Sequence, residues 1–183
     1  MALTIAAIPA VAHAQSTAPV STARSAAGLV VRNGSWGPLK VGMTSAQAQK
    51  TGMVSTEAEH CSAGYEMTKK FRNRGYVVWT GTFPKMKVDQ IIVIGAKDHT
   101  SKRIHVGSTL RQLRHAYPTL SKVYSSSELT GNQQSANDLY IAYAHKTHAG
   151  VLGFEFAYGK RPKLSSKIAM IDIAHTRTVY WGC

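Results

Sequence analysis

Short runs of apolar, β-branched and aromatic residues recur along the chain, separated by Gly, Pro and basic turns. Runs of this length and composition favour β-strands over helices. The prominent ones are residues 65–71, 76–82, 88–95, 139–145, 151–158 and 167–174. The pattern therefore predicts a protein with many short antiparallel strands.

One motif occurs at two predicted helix starts. Residues 42–47 read G-M-T-S-A-Q and residues 107–112 read G-S-T-L-R-Q, so both fit G-x-T-x-x-Q. The threonine occupies the N-cap position and the glutamine the third helical position, which is the spacing of a capping box. We expect two short helices, the first ending at Gly52 and the second before Pro118. The predicted cap residues are Thr44, Gln47, Thr109 and Gln112.

The strand runs follow each copy of the motif in the same order, which indicates an internal repeat. We predict an α+β fold in which repeat 1 (35–105) and repeat 2 (106–183) each form a helix and an antiparallel meander. The two repeats join edge to edge in one curved sheet with the helices on one face. Residues 15–34, rich in Ser, Thr, Ala and Gly, predict a flexible leader in which 29–31 pair as a short edge strand.

Residues 1–14 are mostly apolar and end in Ala12-His13-Ala14, a pattern that precedes the cleavage site of secretory signals. The basic segment that usually opens such a signal is missing. We predict a signal peptide and an exported mature protein, with a disordered alanine-rich N-terminus as the alternative. The run is too short to span a bilayer, and no later run is long enough.

The chain carries 22 Lys and Arg against 9 Asp and Glu, a formal net charge of +13. Such a charge attracts nucleic acid, an anionic envelope polymer or an acidic protein surface. Few carboxylates are left for metal or acid–base sites, and phosphate-binding loops and nucleophile elbows are missing from the sequence. We therefore predict a protein that is not an enzyme and that uses no cofactor or metal.

The chain has two cysteines, Cys61 and Cys183. Two cysteines exclude a disulfide-dense scaffold and a zinc site built from four cysteines. In an exported protein we predict that they form a disulfide, which would staple the C-terminus to the first repeat. Free thiols or an intermolecular bridge remain the alternatives.

The repeated G-x-T-x-x-Q helix start, followed each time by a strand meander, resembles the β-lactamase inhibitor protein family. The same half-unit is similar to small outer-membrane assembly lipoproteins of the SmpA/OmlA type. The inhibitor family implies two tandem helix-plus-sheet repeats whose concave sheet grips a target enzyme. In this chain the turn at residues 69–75 is basic, where the inhibitor family has an acidic hairpin. The resemblance therefore implies protein binding and leaves the target open.

Basic residues cluster in the turns between the predicted strands, and aromatic residues lie near them. Arg and aromatic side chains dominate protein interfaces and also stack on bases, whereas lysines at hairpin tips can simply keep a sheet soluble. Trp79 and Tyr76 point to opposite faces of their strand, and the sequence leaves open which face is the core. The predicted binding residues are Lys69, Lys70, Arg72, Arg74, Tyr76, Trp79, Lys85, Lys87, Lys160, Arg161 and Lys163.

We predict that the chain binds another protein with an acidic surface through the open sheet face and the basic hairpins. Inhibition of a secreted or envelope enzyme is the form of this function that the family resemblance implies. An electrostatic binder of nucleic acid or an anionic wall polymer is the alternative, and a structural envelope factor is a third. Polyanion binding weakens steeply with salt because counterions are released, whereas a protein interface with buried anchors survives moderate salt.

Overall fold

A computed structural model of the protein describes residues 28–58, 65–82, 85–122, 141–148, 150–156 and 162–174. The predictions for the signal segment 1–14, the disulfide between Cys61 and Cys183, and the binding residues Lys160 and Arg161 lie outside the described residues. The described chain is mixed and mostly sheet, in agreement with the predicted α+β class. No helix in these ranges is long and apolar enough to cross a membrane.

The described residues form short strands and two helices. The strands are β1 (Val30–Arg32), β2 (Ser35–Trp36), β3 (Leu39–Lys40), β4 (Val54–Ala58), β5 (Tyr65–Met67), β6 (Gly75–Thr80), β7 (Lys87–Val93), β8 (His99–Thr100), β9 (Ser121–Lys122), β10 (Ile141–Thr147), β11 (Gly150–Phe156) and β12 (Ile168–Ala174). The helices are α1 (Ser45–Lys50) and α2 (Leu110–Ala116). Each apolar run predicted to be a strand contains one, although β5 is shorter than expected because Phe71 lies in the following turn.

The main sheet has six strands in the order β6-β7-β12-β11-β10-β9, and all of its neighbouring pairs are antiparallel. Strands that follow α1 meet strands that follow α2 where β7 pairs with β12. A second sheet has the order β3-β2-β1-β8, and β4 pairs with β5. The main sheet therefore combines strands from both predicted halves of the chain.

The prediction of an edge strand at 29–31 is wrong in its placement. The strand β1 lies inside the second sheet, antiparallel to β2 and parallel to β8. Val31 is fully buried in the hydrophobic core, so burial of this side chain draws the strand into the sheet. Ordered structure therefore begins before the predicted end of the leader at residue 34.

The core lies between one face of the main sheet and the two helices. It takes Ala48 from α1, Leu110 and Leu113 from α2, and Ile91, Val93, Leu152, Phe154, Ile171 and Ile173 from the sheet. In β7 a bulge at Asp89 changes the pairing from Val78–Gln90 to Trp79–Val88. The extra residue keeps Val88 on the core face although Gln90, two residues on, lies on the opposite face.

Both predicted capping boxes are present. The Thr44 hydroxyl accepts from the Gln47 backbone amide at 3.3 Å, and the Thr44 amide donates to the Gln47 side chain at 2.9 Å. Thr109 and Gln112 make the same pair of hydrogen bonds, at 3.3 and 2.8 Å. The predicted helix ends are confirmed as well, since Gly52 has a positive φ just beyond α1, and α2 ends before the turn that contains a proline.

The first cap is attached to the start of β7 by backbone hydrogen bonds. Gly42 donates to the Val88 carbonyl at 2.7 Å, and Val88 donates back to Met43 at 2.8 Å. Ser45, the first residue of α1, donates to Met86 at 3.0 Å. Gly42 has a φ of +84°, which favours glycine at this position.

The second cap is attached to the start of β12 in the same way. Gly107 donates to the Ile168 carbonyl at 2.8 Å, and Ile168 donates back to Ser108 at 2.9 Å. Leu110 donates to Ser166 at 2.9 Å, and Gly107 has a φ of +96°. Each G-x-T-x-x-Q segment thus caps a helix and holds it against a strand that crosses the core.

We expect Thr44→Ala and Thr109→Ala each to lower the free energy of unfolding by about 1 kcal/mol, because each removes the hydroxyl of a capping box. This corresponds to a fall in Tm of roughly 2–4 °C for a domain of this size. Thermal unfolding followed by circular dichroism measures it. Thr119→Ala, at an exposed position, is the matched control and should leave Tm nearly unchanged. Equal Tm values for all three variants would show that the boxes contribute no stability.

Candidate binding surfaces

The predicted basic residues lie at opposite ends of the β6–β7 hairpin. Lys69 and Lys70 are exposed in the turn before β6, whose first residue pairs with the last residue of β7. Lys85 and Lys87 are exposed at the other end, where Thr80 pairs with Lys87. The strands separate the two groups by roughly 20 Å, from the rise per residue of a β-strand. The structure therefore does not bring them into one patch.

Lys163 lies at the same end of the main sheet as Lys69 and Lys70. The strand β12 runs antiparallel to β7 and begins three residues before Ile171, which pairs with Val93 at the end of β7. The segment before β12 thus leaves the sheet at this end, and Lys163 is exposed there. We call Lys69, Lys70 and Lys163 the first basic end, and Lys85 and Lys87 the second basic end.

Arg72 forms an exposed ion pair. Its Nη2 donates to Oε2 of Glu66 at 2.8 Å, and the two side chains are 60% and 37% exposed. Water and salt screen a pair in such a position, so it contributes little to stability. Arg72 adds a solvated charge beside the first basic end.

Arg74 is partly buried and pairs with a buried carboxylate. Its guanidinium donates two hydrogen bonds to the fully buried carboxylate of Asp98, with Nε at 3.1 Å from Oδ2. The same carboxylate accepts from the Leu29 backbone amide at 2.6 Å, and the guanidinium carbon lies 5.2 Å from the centre of the Phe71 ring. Arg74 thereby ties the turn before β6 to the second sheet, which makes its role structural rather than that of a contact residue.

The two predicted aromatic binding residues lie on different faces of β6. Trp79 packs against the core, with its ring centre 5.6 Å from that of Tyr65 and its indole N–H donating to the Tyr65 carbonyl at 3.0 Å. Tyr76 points to the opposite face and is 41% exposed. Of the two, Tyr76 is therefore the residue available to a partner.

A buried polar cluster that the sequence analysis missed lies on the face of the main sheet opposite to the helices. Gln90 is fully buried, and Glu155 and Asp172 are each 4% exposed. Asp172 on β12 pairs with Ile92 on β7 and with Gly153 on β11. Ile92 pairs in turn with Tyr76 on β6. We call Tyr76, Gln90, Glu155 and Asp172 the acidic cluster. Its sequence signal was a polar residue in the middle of each of three apolar strands.

Burial shapes the electrostatics of the acidic cluster. It raises the pKa of Glu155 to about 8, and the charge of Asp172 adds to the effect. Burial also raises the pKa of Asp172 to about 6, against a smaller lowering effect of the nearby Gln90 amide. Burial and the two carboxylates together raise the pKa of the Tyr76 hydroxyl. Glu155 is therefore mostly protonated at neutral pH.

The sequence predicts binding through an open sheet face, but the described residues at the centre of this face are buried. Gln90 and Ile92 on β7, Gly153 and Glu155 on β11, and Asp172 on β12 are all buried. Exposure increases at β6, where Tyr76 lies. The accessible parts of the sheet are thus its β6 side and its two basic ends.

Comparisons of the chain with protein-family models, with curated proteins and with solved structures found no match.

We expect Arg74→Gln to lower the free energy of unfolding by about 3 kcal/mol, because it leaves the buried carboxylate of Asp98 without its counter-charge. Urea denaturation measures the change. Arg72→Gln is the matched control, and it should cost less than about 1 kcal/mol because its ion pair is exposed. Similar losses in the two variants would contradict the structural role of Arg74.

We expect the contribution of Glu155 to the free energy of unfolding to decrease as the pH rises. The folded state keeps a proton on Glu155 up to a pKa of about 8, whereas the unfolded chain releases it near 4.5. The stabilisation by Glu155 is therefore complete below pH 4.5 and is lost as the pH rises to about 8. The free energy of unfolding falls by about 2 kcal/mol between pH 6 and 8.

Urea titrations at several pH values test this prediction. Glu155→Gln should flatten the pH dependence, since its side chain does not titrate. Glu66→Gln removes an exposed carboxylate and should keep the wild-type slope. A slope unchanged in Glu155→Gln would refute the raised pKa of this carboxyl.

Proposed function

We propose that this chain is an exported, non-enzymatic protein that binds an acidic surface of another protein through its basic ends and the β6 side of the main sheet. The observation that supports this most is positive charge that the described fold does not neutralise. The exposed lysines Lys69, Lys70 and Lys163 at one end, and Lys85 and Lys87 at the other, make no ion pair with any described residue.

Four of the nine acidic residues are engaged or buried away from these lysines. Glu66 pairs with Arg72, and Asp98 pairs with Arg74. Glu155 and Asp172 are buried, and burial favours their uncharged forms. These four carboxylates therefore neutralise little of the lysine charge at the basic ends, and an incoming partner meets that charge. Such a field accelerates association with a negatively charged surface.

Tyr76 supplies an anchor between the two basic ends. It is an exposed aromatic residue on β6, an outer strand of the main sheet. Tyr is among the residues that contribute most to protein interfaces, because a large apolar ring carries a polar tip. A partner that covers Tyr76 would extend along β6 toward a basic end on either side.

We also propose that the chain consists of two tandem repeats. The identical attachment of the two caps, one to the start of β7 and one to the start of β12, supports this organisation. Inhibition of a secreted or envelope enzyme is the specific activity that the resemblance to the β-lactamase inhibitor protein family implies. The electrostatic binding of a polyanion is the alternative, and the same uncompensated lysines favour it.

Two charge-matched variants distinguish these functions. Lys69→Gln with Lys70→Gln and Lys85→Gln with Lys87→Gln each remove two charges and change the formal net charge from +13 to 13 − 2 = +11. A protein partner anchored on Tyr76, the second residue of β6, lies nearer to the first basic end than to the second. We therefore expect Lys69→Gln with Lys70→Gln to lower its affinity at least tenfold and the other double variant to lower it much less. A polyanion responds to total charge, so it would weaken similarly with both variants.

Affinity capture from nuclease-treated envelope and secreted extracts, at low salt and at about 0.15 M salt, provides the partner for this measurement. We expect one protein in stoichiometric amount at the higher salt. Retention at low salt alone, with many acidic species and equal losses in both double variants, would reject the protein-binding function in favour of the polyanion binder.

A further inference from the structure

Basic side chains line the side of the protein where α2 packs against β10. The guanidinium carbon of Arg114 lies 5.7 Å from the centre of the Tyr143 ring. Tyr117, which ends α2, has its ring centre 4.9 Å from that of His145. Tyr143 and His145 are two residues apart on β10, so they share a face and are separated by about 7 Å. Arg114 therefore lies beside the first of these positions and Tyr117 beside the second.

Lys102 adds a cation next to Tyr117. Its ammonium group donates to the Ala116 carbonyl at 2.7 Å, at the C-terminal end of α2, and lies 4.7 Å from the centre of the Tyr117 ring. A lysine is favoured both at the last carbonyls of a helix and over an aromatic face. Burial, together with the charge of Lys102, lowers the pKa of His145. Lys102 is thus held in place and concentrates positive charge at this end of α2.

The turn that carries Lys102 has an arginine where glycine is favoured. The Thr100 amide donates to the Ile104 carbonyl at 2.7 Å, which closes a loop of residues 101–103. Arg103, the last residue of this loop, has a φ of +64° and is the one residue other than glycine with a positive φ in the described ranges. Three-residue loops usually place glycine in this conformation. The chain therefore keeps an exposed arginine beside Lys102 in spite of the backbone strain.

This surface has charge but no exposed aromatic anchor. Lys102, Arg103 and Arg114 are exposed, and none of them is in an ion pair with another described residue. The rings beneath them are covered, since Tyr117 is 4% and Tyr143 9% exposed. Protein interfaces depend on accessible aromatic and apolar side chains, whereas a polyanion is bound by cations alone. The composition of the surface therefore favours a polyanion over a protein.

We propose that Lys102, Arg103 and Arg114, which we call the α2 cationic surface, bind a phosphodiester chain through its phosphate groups. Lys and Arg are the usual partners of phosphate oxygens. Successive phosphates meet successive cations, so no single anion has to reach all three side chains. The covered tyrosines offer no ring for base stacking, so recognition is of the backbone. This surface is separate from the basic ends and does not depend on the function proposed for them.

Fluorescence anisotropy of a labelled oligothymidylate of about 12 nucleotides, titrated with the full chain, tests the proposal. We expect saturable binding that Lys102→Gln with Arg114→Gln weakens at least tenfold. The slope of log affinity against log salt should fall by about 1.4 in this variant, because two phosphate contacts are lost. Lys69→Gln with Lys70→Gln also removes two charges and is the matched control, with an expected loss below threefold. Equal losses in the two variants, or no saturable binding by the wild type, would overturn the proposal.

Substitutions of Arg103 separate binding from stability. Arg103→Gly removes the backbone strain, so we expect Tm to rise by roughly 2–4 °C while the affinity for oligothymidylate falls at least threefold. Arg103→Lys keeps the charge and should keep the affinity within about twofold, without the rise in Tm. Neither measurement requires a destabilised variant. Unchanged affinity in Arg103→Gly would overturn the place of Arg103 in the surface.

Competition experiments distinguish the sources of the phosphodiester chain. Poly(glycerol phosphate) has the phosphates of a wall polymer and no bases, and we expect it to displace oligothymidylate at a similar phosphate concentration. If it fails to compete, bases or sugars are recognised, and recognition through phosphate alone is refuted. Polyglutamate presents carboxylates on flexible side chains and should compete at least tenfold less well. Equal competition by polyglutamate would overturn the choice of phosphate in favour of an acidic protein.

Discussion

The attachment of each helix cap to the start of a strand organises this fold. A glycine with positive φ turns the chain, the next residues exchange backbone hydrogen bonds with β7 or β12, and the threonine that follows caps a helix. The helix and the strand are thereby fixed at the same point, so their apolar faces meet. Because β7 and β12 also pair with each other, the two attachments lie on adjacent strands of one sheet. The core forms where the two helices cover that sheet.

Charge is distributed unevenly over this framework. Asp98 is fully buried and holds Arg74, while Glu155 and Asp172 are sequestered on the face opposite to the helices. The lysines remain at the ends of the strands, where hairpin turns expose them to water. This separation leaves a strongly basic exterior and an acidic interior cluster in the same molecule. The proposed partner surface uses the exterior.

The sequence was most informative where interactions are local. The capping boxes connect residues three positions apart, so the spacing of Thr44 and Gln47 was enough to predict both hydrogen bonds and the helix that follows. The strand runs were recognisable because each must bury apolar side chains. The sequence was much less informative about β1, because β2 follows it directly but its other neighbour, β8, comes from a distant part of the chain.

The amino-acid sequence by itself determined the α+β class, the two caps, most strand positions and the excess of positive charge, since these depend on composition or on residues close together. Only the tertiary structure decided that Arg74 pairs with the buried Asp98, 24 residues away, and that Trp79 faces the core while Tyr76 faces outward. It also separated the lysines into two ends and gathered Gln90, Glu155 and Asp172 onto one face. Strand order and register produce these results, and they arise from the packing of the whole sheet rather than from any one segment.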